Sequence, residues 1–101
     1  MILPEDMKQV ALRFAKAGLN ARLVEASDPD DEDDQIEIFK DDVDTRVTIQ
    51  VSLLGYGYYV NEYVGEDASL AMILRGNFRV LRKAIDRAIE AVAAKQMEAL
   101  S

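Results

Sequence analysis

The sequence predicts an α+β domain: an N-terminal helix, an antiparallel meander sheet of four or five strands and a long C-terminal helix, with both helices on one face of the sheet. Three observations predict it. Apolar residues recur at three- and four-residue spacing near both ends of the chain, they alternate with polar ones at period two in the middle, and the segments between carry turn chemistry. The 101 residues, half of them apolar, form a single domain spanning 1–101. A chain of that length buries about two-thirds of its unfolded surface, enough for a core without staples.

The first helix is expected over 4–17. Pro4 suits the first helical position, and Glu5 and Asp6 complement the positive end of the helix dipole. Met7, Val10, Ala11, Phe14 and Ala17 make one apolar face. Gly18 is placed to take the left-handed cap, with Leu19 folding back on the last turn. Ala21–Ala26 is expected as the first strand, with Leu23 and Val24 on opposite faces, and 27–34 as a loop. Like charges at the density of DPDDEDD (28–34) repel one another and bury nothing.

Gln35–Lys40 is the second strand, with Ile36 and Ile38 on one face, and Asp41, Asp42 and Asp44 are expected to make the next turn. Over 46–53, Val47, Ile49, Val51 and Leu53 alternate with Arg46, Thr48, Gln50 and Ser52, the pattern of a half-buried strand. Leu54-Gly55-Tyr56-Gly57 turns the chain into a fourth strand, Tyr58–Val64.

The region after Val64 admits two readings. The composition Leu-Ala-Met supports one long helix capped by Asp67 or Ser69. Arg75-Gly76-Asn77 is a poor helix interior, however, and Gly76 there costs about 1 kcal/mol relative to Ala. A fifth strand over 69–74 is therefore preferred, with Leu70, Met72 and Leu74 facing inward. Asn77 then caps the last helix, expected from Phe78 to about Met97 with Phe78, Leu81, Ile85, Ala88, Ile89 and Val92 as its apolar stripe. Arg75, Arg79, Arg82, Lys83 and Arg87 are opposed only by Asp86, so that stretch carries +4.

Charge is the feature that departs furthest from ordinary globular sequence. Ten acidic residues lie between Asp28 and Asp44. Residues 1–44 carry 5 basic and 13 acidic side chains (−8), residues 45–101 carry 7 and 6 (+1), and the two sum to −7. Such asymmetry marks an interaction surface. Asp28, Asp30, Asp31, Glu32, Asp33, Asp34, Asp41, Asp42 and Asp44 are the candidate partner-binding residues, and their partner is expected to be a larger protein with a basic surface. Phosphate backbones are repelled by this charge, so no direct nucleic-acid partner is expected.

The spacing of Asp28, Asp30, Glu32 and Asp34 superficially matches a calcium loop, but the sixth position is Asp33 where the turn needs Gly, and the twelfth is Phe39 where a bidentate Glu belongs. No metal and no cofactor are expected. A second candidate surface is the sheet face opposite the helices. If Tyr58 and Val60 face inward, Tyr59, Asn61 and Tyr63 project outward, and Ala71 and Ile73 of a fifth strand join them. Tyr59 and Tyr63 are the candidate residues of a sheet-face interface, and a homodimer formed there or through the last helix is expected.

Neither His nor Cys is present, so no conventional nucleophile–base pair and no thiolate metal site exist. The carboxylates crowd into a loop rather than converging on a pocket, and the protein is not expected to be an enzyme. The opening MILPEDMKQ lacks the basic and then apolar stretch of a signal peptide, and no apolar run approaches the ~20 residues that span a bilayer. A cytoplasmic protein without membrane contact is expected.

In charge and size the chain resembles phage-encoded inhibitors of host nucleases and defence complexes. That resemblance implies a nucleic-acid-mimicking acidic surface presented to a basic cleft, whose Lys and Arg groups meet carboxylates as they would phosphates. In outline it is similar to the acidic type III secretion chaperones, which share an N-terminal helix, an antiparallel sheet and a later helix. This second resemblance is architectural, covers most of the chain, and implies a homodimeric chaperone or adaptor working through an exposed sheet face or a helix.

Overall fold

The structure, a computed structural model, describes residues 4–25, 34–52, 57–65 and 71–100. Helix α1 (Pro4–Lys16) is followed by strands β1 (Asn20–Val24), β2 (Asp34–Lys40), β3 (Val43–Val51), β4 (Tyr58–Val64) and β5 (Ala71–Phe78), then by helix α2 (Leu81–Leu100). The strands pair antiparallel in chain order, β1-β2-β3-β4-β5, so the sheet is a meander with β1 and β5 at its edges. No helix among the described residues is long and apolar enough to cross a membrane.

Helix α1 stops as its sequence dictates. Gly18 takes φ 76°, the Gly18 amide donates to the Ala15 carbonyl (3.0 Å), and the Leu19 amide donates to the Phe14 carbonyl (2.8 Å). That pair of bonds is the Schellman closure, and it turns Leu19 into the core. Val10 and Phe14, four residues apart, are the buried face of α1. In α2 the buried residues are Ala84, Ile85, Ala88, Ala91 and Val92, whose small alanines let the helix lie close to the sheet. All of them meet Ile36, Ile38, Val47, Ile49, Val51 and Val60 in one core. Since these strand residues share one face, both helices cover the same side, and among the described residues no layer covers the other side.

Two irregularities interrupt the ladder, and the one-residue bulge in β5 decides which of its residues the open side receives. Between Glu37 and Phe39, β2 advances two residues while β3 advances four, from Thr48 to Asp44. The excess lies at Thr45 and Arg46, and Arg46 adopts φ 61°. Its exposed backbone groups are met locally and from α2. The Asp44 carboxylate accepts from the Arg46 amide (2.8 Å), the Thr45 hydroxyl donates to the Ile38 carbonyl (2.8 Å), and Lys95 Nζ donates to the Thr45 carbonyl (3.1 Å). Between β4 and β5, Val60 faces Gly76 and Asn61 faces Leu74, which leaves Arg75 as a one-residue bulge.

That bulge corrects two expectations. Met72 and Leu74 point away from the helices, beside Tyr63 and Asn61, whereas Ile73 lies opposite Glu62 on the helix side with Ala71. One extra residue inverts every side chain beyond it, because strand side chains alternate at period two. The last helix also starts later than expected: Asn77 and Phe78 belong to β5, and the amides of Lys83 and Ala84 both bond the Val80 carbonyl at the start of α2. Gly76 is suited to the strand because a Cβ there would lie 2.6 Å from the Phe78 ring. Finally, the β2–β3 turn is Asp41-Asp42 alone, with φ of 51° and 64° and Lys40 paired to Val43; Asp44 is already in β3. Both central residues of such a two-residue hairpin need positive φ, which Asp tolerates.

The buried and exposed faces of α1 give a direct test. Phe14→Ala should lower unfolding free energy by about 3–5 kcal/mol, the usual cost of emptying a packed aromatic site. Leu12→Ala, on the exposed face, should stay within about 0.5 kcal/mol. Equal losses in urea denaturation would contradict the assigned face.

Candidate protein-binding surface

The open face is built row by row from the strand register. One row runs Val24, Gln35, Gln50, Tyr59 and Asn77 from β1 to β5, and the next runs Arg22, Glu37, Thr48, Asn61 and Leu74. Beyond them lie Asn20 and Phe39 at one side, and Tyr63 opposite Met72 at the other. The middle of this surface is polar and its β5 side is apolar.

The residues of the polar centre are buried by their neighbours on the sheet, although among the described residues no layer covers this face. Asn61 is only 1% exposed and Thr48 only 6%. The Asn61 side-chain amide donates to the Gln50 side-chain oxygen (3.1 Å). Arg22 Nη2 donates to the Glu37 carboxylate (2.7 Å) while its guanidinium lies 5.2 Å from the centre of the Phe39 ring, so three side chains make one lid at the β1 end. Arg46 reaches the Gly65 carbonyl with its guanidinium. Between these side chains an open cleft is lined by Gln35, Glu37, Asp44, Arg46, Thr48 and Tyr63. The Thr48 hydroxyl in that cleft has no hydrogen-bond partner among the described residues. A buried hydroxyl left unpaired costs roughly 1–3 kcal/mol, so this face contains an unmet polar demand.

At the β5 side the demand is apolar. Met72 and Leu74 are each 56% exposed, and they flank the half-buried Tyr63. Ile73, on the reverse side, is 36% exposed. These residues form an uncharged edge on a sheet otherwise dense in charge. Just beyond them Arg75 is held in place: its Nε donates to the buried Glu62 carboxylate (3.2 Å), and its carbonyl accepts from Arg87 Nε (3.1 Å).

Of the residues read from the sequence as a site, Tyr59 and Tyr63 lie on the open face, though half-buried rather than projecting freely. The acidic candidates do not form one patch among the described residues. Asp34 opens β2 on the helix side, opposite Val51, while Asp41, Asp42 and Asp44 are exposed at its far end. The length of β2 separates them by about 20 Å, at roughly 3.3 Å per residue. Asp28, Asp30, Asp31, Glu32 and Asp33 lie outside the described residues. Among the described residues no three carboxylates gather closely enough to hold a metal ion.

Sequence reasoning passed over Thr48 and Arg46 as ordinary alternating polar positions, and it turned Met72 and Leu74 inward. Alternation with Val47 and Ile49 already sets Thr48 on the open face; only the one-residue bulge at Arg75 brings Met72 and Leu74 there. Comparison of the chain with family models, with curated proteins and with solved structures found no match, so neither resemblance in charge or outline is accompanied by a family assignment.

The unmet hydroxyl is testable by itself. Thr48→Val keeps the side-chain shape and removes a group with no partner, so thermal unfolding should move upward or not at all. A fall corresponding to more than about 1 kcal/mol would mean that the hydroxyl is paired within the folded chain.

Proposed function

We propose that the protein is a non-enzymatic protein-binding module that takes an extended segment of another polypeptide on the open face of its sheet. The exposure of Met72 and Leu74 beside Tyr63, on a face that no described element covers, carries this reading. Apolar side chains of a bound segment would be received there, while its main-chain polar groups would meet the cleft around Thr48, Gln35 and Arg46. A surface combining an apolar strip with a few buried polar groups fits a polypeptide better than it fits a small charged ligand. The role is that of an adaptor or chaperone, it is exercised in the cytoplasm, and a homodimer belongs to it. Lack of His and Cys, and the scatter of the carboxylates, support a role without catalysis. The net charge of −7 argues against a nucleic-acid ligand.

A second reading makes the acidic surface the working one, presented to a basic site of a larger protein in the manner of a nucleic-acid mimic. It is favoured by three exposed carboxylates, Asp41, Asp42 and Asp44, at one hairpin tip within the −8 half of the chain.

The two readings differ in how binding responds to salt and to substitution. Fluorescence anisotropy with a labelled, permanently unfolded model polypeptide should show binding that changes little with ionic strength. Tyr59→Ser/Tyr63→Ser should weaken it about tenfold, equivalent to about 1.4 kcal/mol, and Asp41→Asn/Asp42→Asn/Asp44→Asn should leave it unchanged. The charge-mimic reading requires the reverse: association with a basic protein that slows steeply as salt screens the field, and that slows again in the triple Asn variant. Failure to bind the unfolded polypeptide at any ionic strength would overturn the adaptor reading.

A further inference from the structure

We infer that the homodimer forms by antiparallel pairing of β5 with β5 of a second copy about a two-fold axis through Ile73, giving one continuous ten-strand sheet. The inference rests on the homodimer part of the reading above and adds the edge and the register.

Strand β5 is an edge of the sheet, so one side of its backbone ladder is unpaired. Edge strands that stay single are usually guarded by Lys, Pro, inward charges or a covering element. Among the described residues β5 has none of these over 71–74: the residues are Ala71, Met72, Ile73 and Leu74, and all four are exposed. The opposite edge differs in kind, since β1 presents Asn20, Arg22 and Val24 to the open face, one apolar residue beside two polar ones, with Arg22 tied to Glu37.

Side-chain parity requires the axis to pass through a residue rather than between two. Residues directly opposite one another in an antiparallel pair lie on the same face. With the axis through residue 73, Ile73 meets Ile73 of the second copy on the helix side. Met72 meets Leu74 of the second copy on the open face, and Leu74 meets its Met72. Met72, Ile73 and Leu74 each then gain an apolar partner, while Ala71 lies opposite Arg75 of the second copy. An axis midway between residues 72 and 73 would instead set Met72 against Ile73, which face opposite ways in each chain, so that pairing is excluded by the pleat.

Charge allows the pairing although the chain is acidic. The −8 half, residues 1–44, supplies α1, β1, β2 and the first residues of β3, on the far side of the sheet, whereas residues 45–101 carry +1. The nearest cation to the apolar segment, Arg75, is already committed to Glu62 of its own chain. Because the joined surfaces are identical, the contact is isologous and closes at two copies, with both β5 edges paired.

The chain has no cysteine, so single introduced cysteines report the register cleanly. Ile73→Cys should cross-link to a covalent dimer in mild oxidant, since directly opposed Cα atoms at about 4.5–5.5 Å fall within disulfide reach. Ala71→Cys, on the same face but four residues out of register with itself, should not. In sedimentation, the parent should be a dimer at micromolar concentration, and Leu74→Lys should weaken dimerisation more than tenfold while keeping the parent's circular dichroism and melting profile. A monomeric parent at high micromolar concentration would overturn both the homodimer and this interface. A dimer indifferent to Leu74→Lys, without cross-linking at position 73, would overturn the β5 interface alone. Growth into species larger than two copies would overturn its closed symmetry.

Discussion

A β-strand shows its side chains to alternate faces, so one extra residue reassigns everything beyond it, and in β5 that residue is Arg75. On the C-terminal side of the bulge, Gly76 and Phe78 face the helices, and the Phe78 ring lies against Gly76 where any Cβ would intrude. On the other side, Met72 and Leu74 are turned out beside Tyr63 and Asn61. The bulge is held by two long side chains, Glu62 from β4 on the Arg75 guanidinium and Arg87 from α2 on the Arg75 carbonyl. Breaking the Glu62 contact would leave a carboxylate only 7% exposed without its cation, a far heavier loss than the rupture of a surface pair. Sheet, last helix and open face therefore share one point of dependence.

The second bulge, at Thr45 and Arg46, works on the polar half of the same face. A non-glycine residue at positive φ stores strain of order 1–3 kcal/mol and persists only where its surroundings over-determine it. Here Asp44, Ile38, Lys95 and Gly65 do so from four directions. The consequence is an Arg46 side chain laid across the sheet toward Gly65, walling a cleft whose lining includes Thr48, a hydroxyl without a partner among the described residues. Local consistency fails at this place, and such failures concentrate where a protein binds something. The helix side offers the contrast of an apolar core filled by Phe14, four isoleucines and the alanines of α2.

Much of this was legible in the residues. The four-residue spacing of Val10 and Phe14, the Gly18-Leu19 closure and the alternation from Val47 to Val51 each led to the element observed, because each depends on contacts within a few residues or on one face of one strand. What escaped was non-local. Period-two reading assumes an unbroken strand, so it sent Met72 and Leu74 inward and Ile73 outward. A bulge is specified by its partners, Glu62 and Arg87, and neither is near Arg75 in sequence. Asn77 has the chemistry of a helix cap, but pairing with Tyr59 extended the strand through it, and tertiary pairing outweighed a local preference worth about 1 kcal/mol. The acidic candidates were found by composition, which carries no geometry. Composition could not tell that Asp34 and the group around Asp42 sit at opposite ends of β2.

The register of β4 against β5 decides which residues the open face carries, and interstrand nuclear Overhauser contacts in the dilute protein measure it. Contacts of Asn61 with Leu74, of Tyr63 with Met72 and of Val60 with Gly76, with Arg75 unopposed, are the expected result. An unbroken ladder, with Asn61 opposite Arg75 and Tyr63 opposite Ile73, would return Met72 and Leu74 to the helix side and remove the apolar strip from the open face.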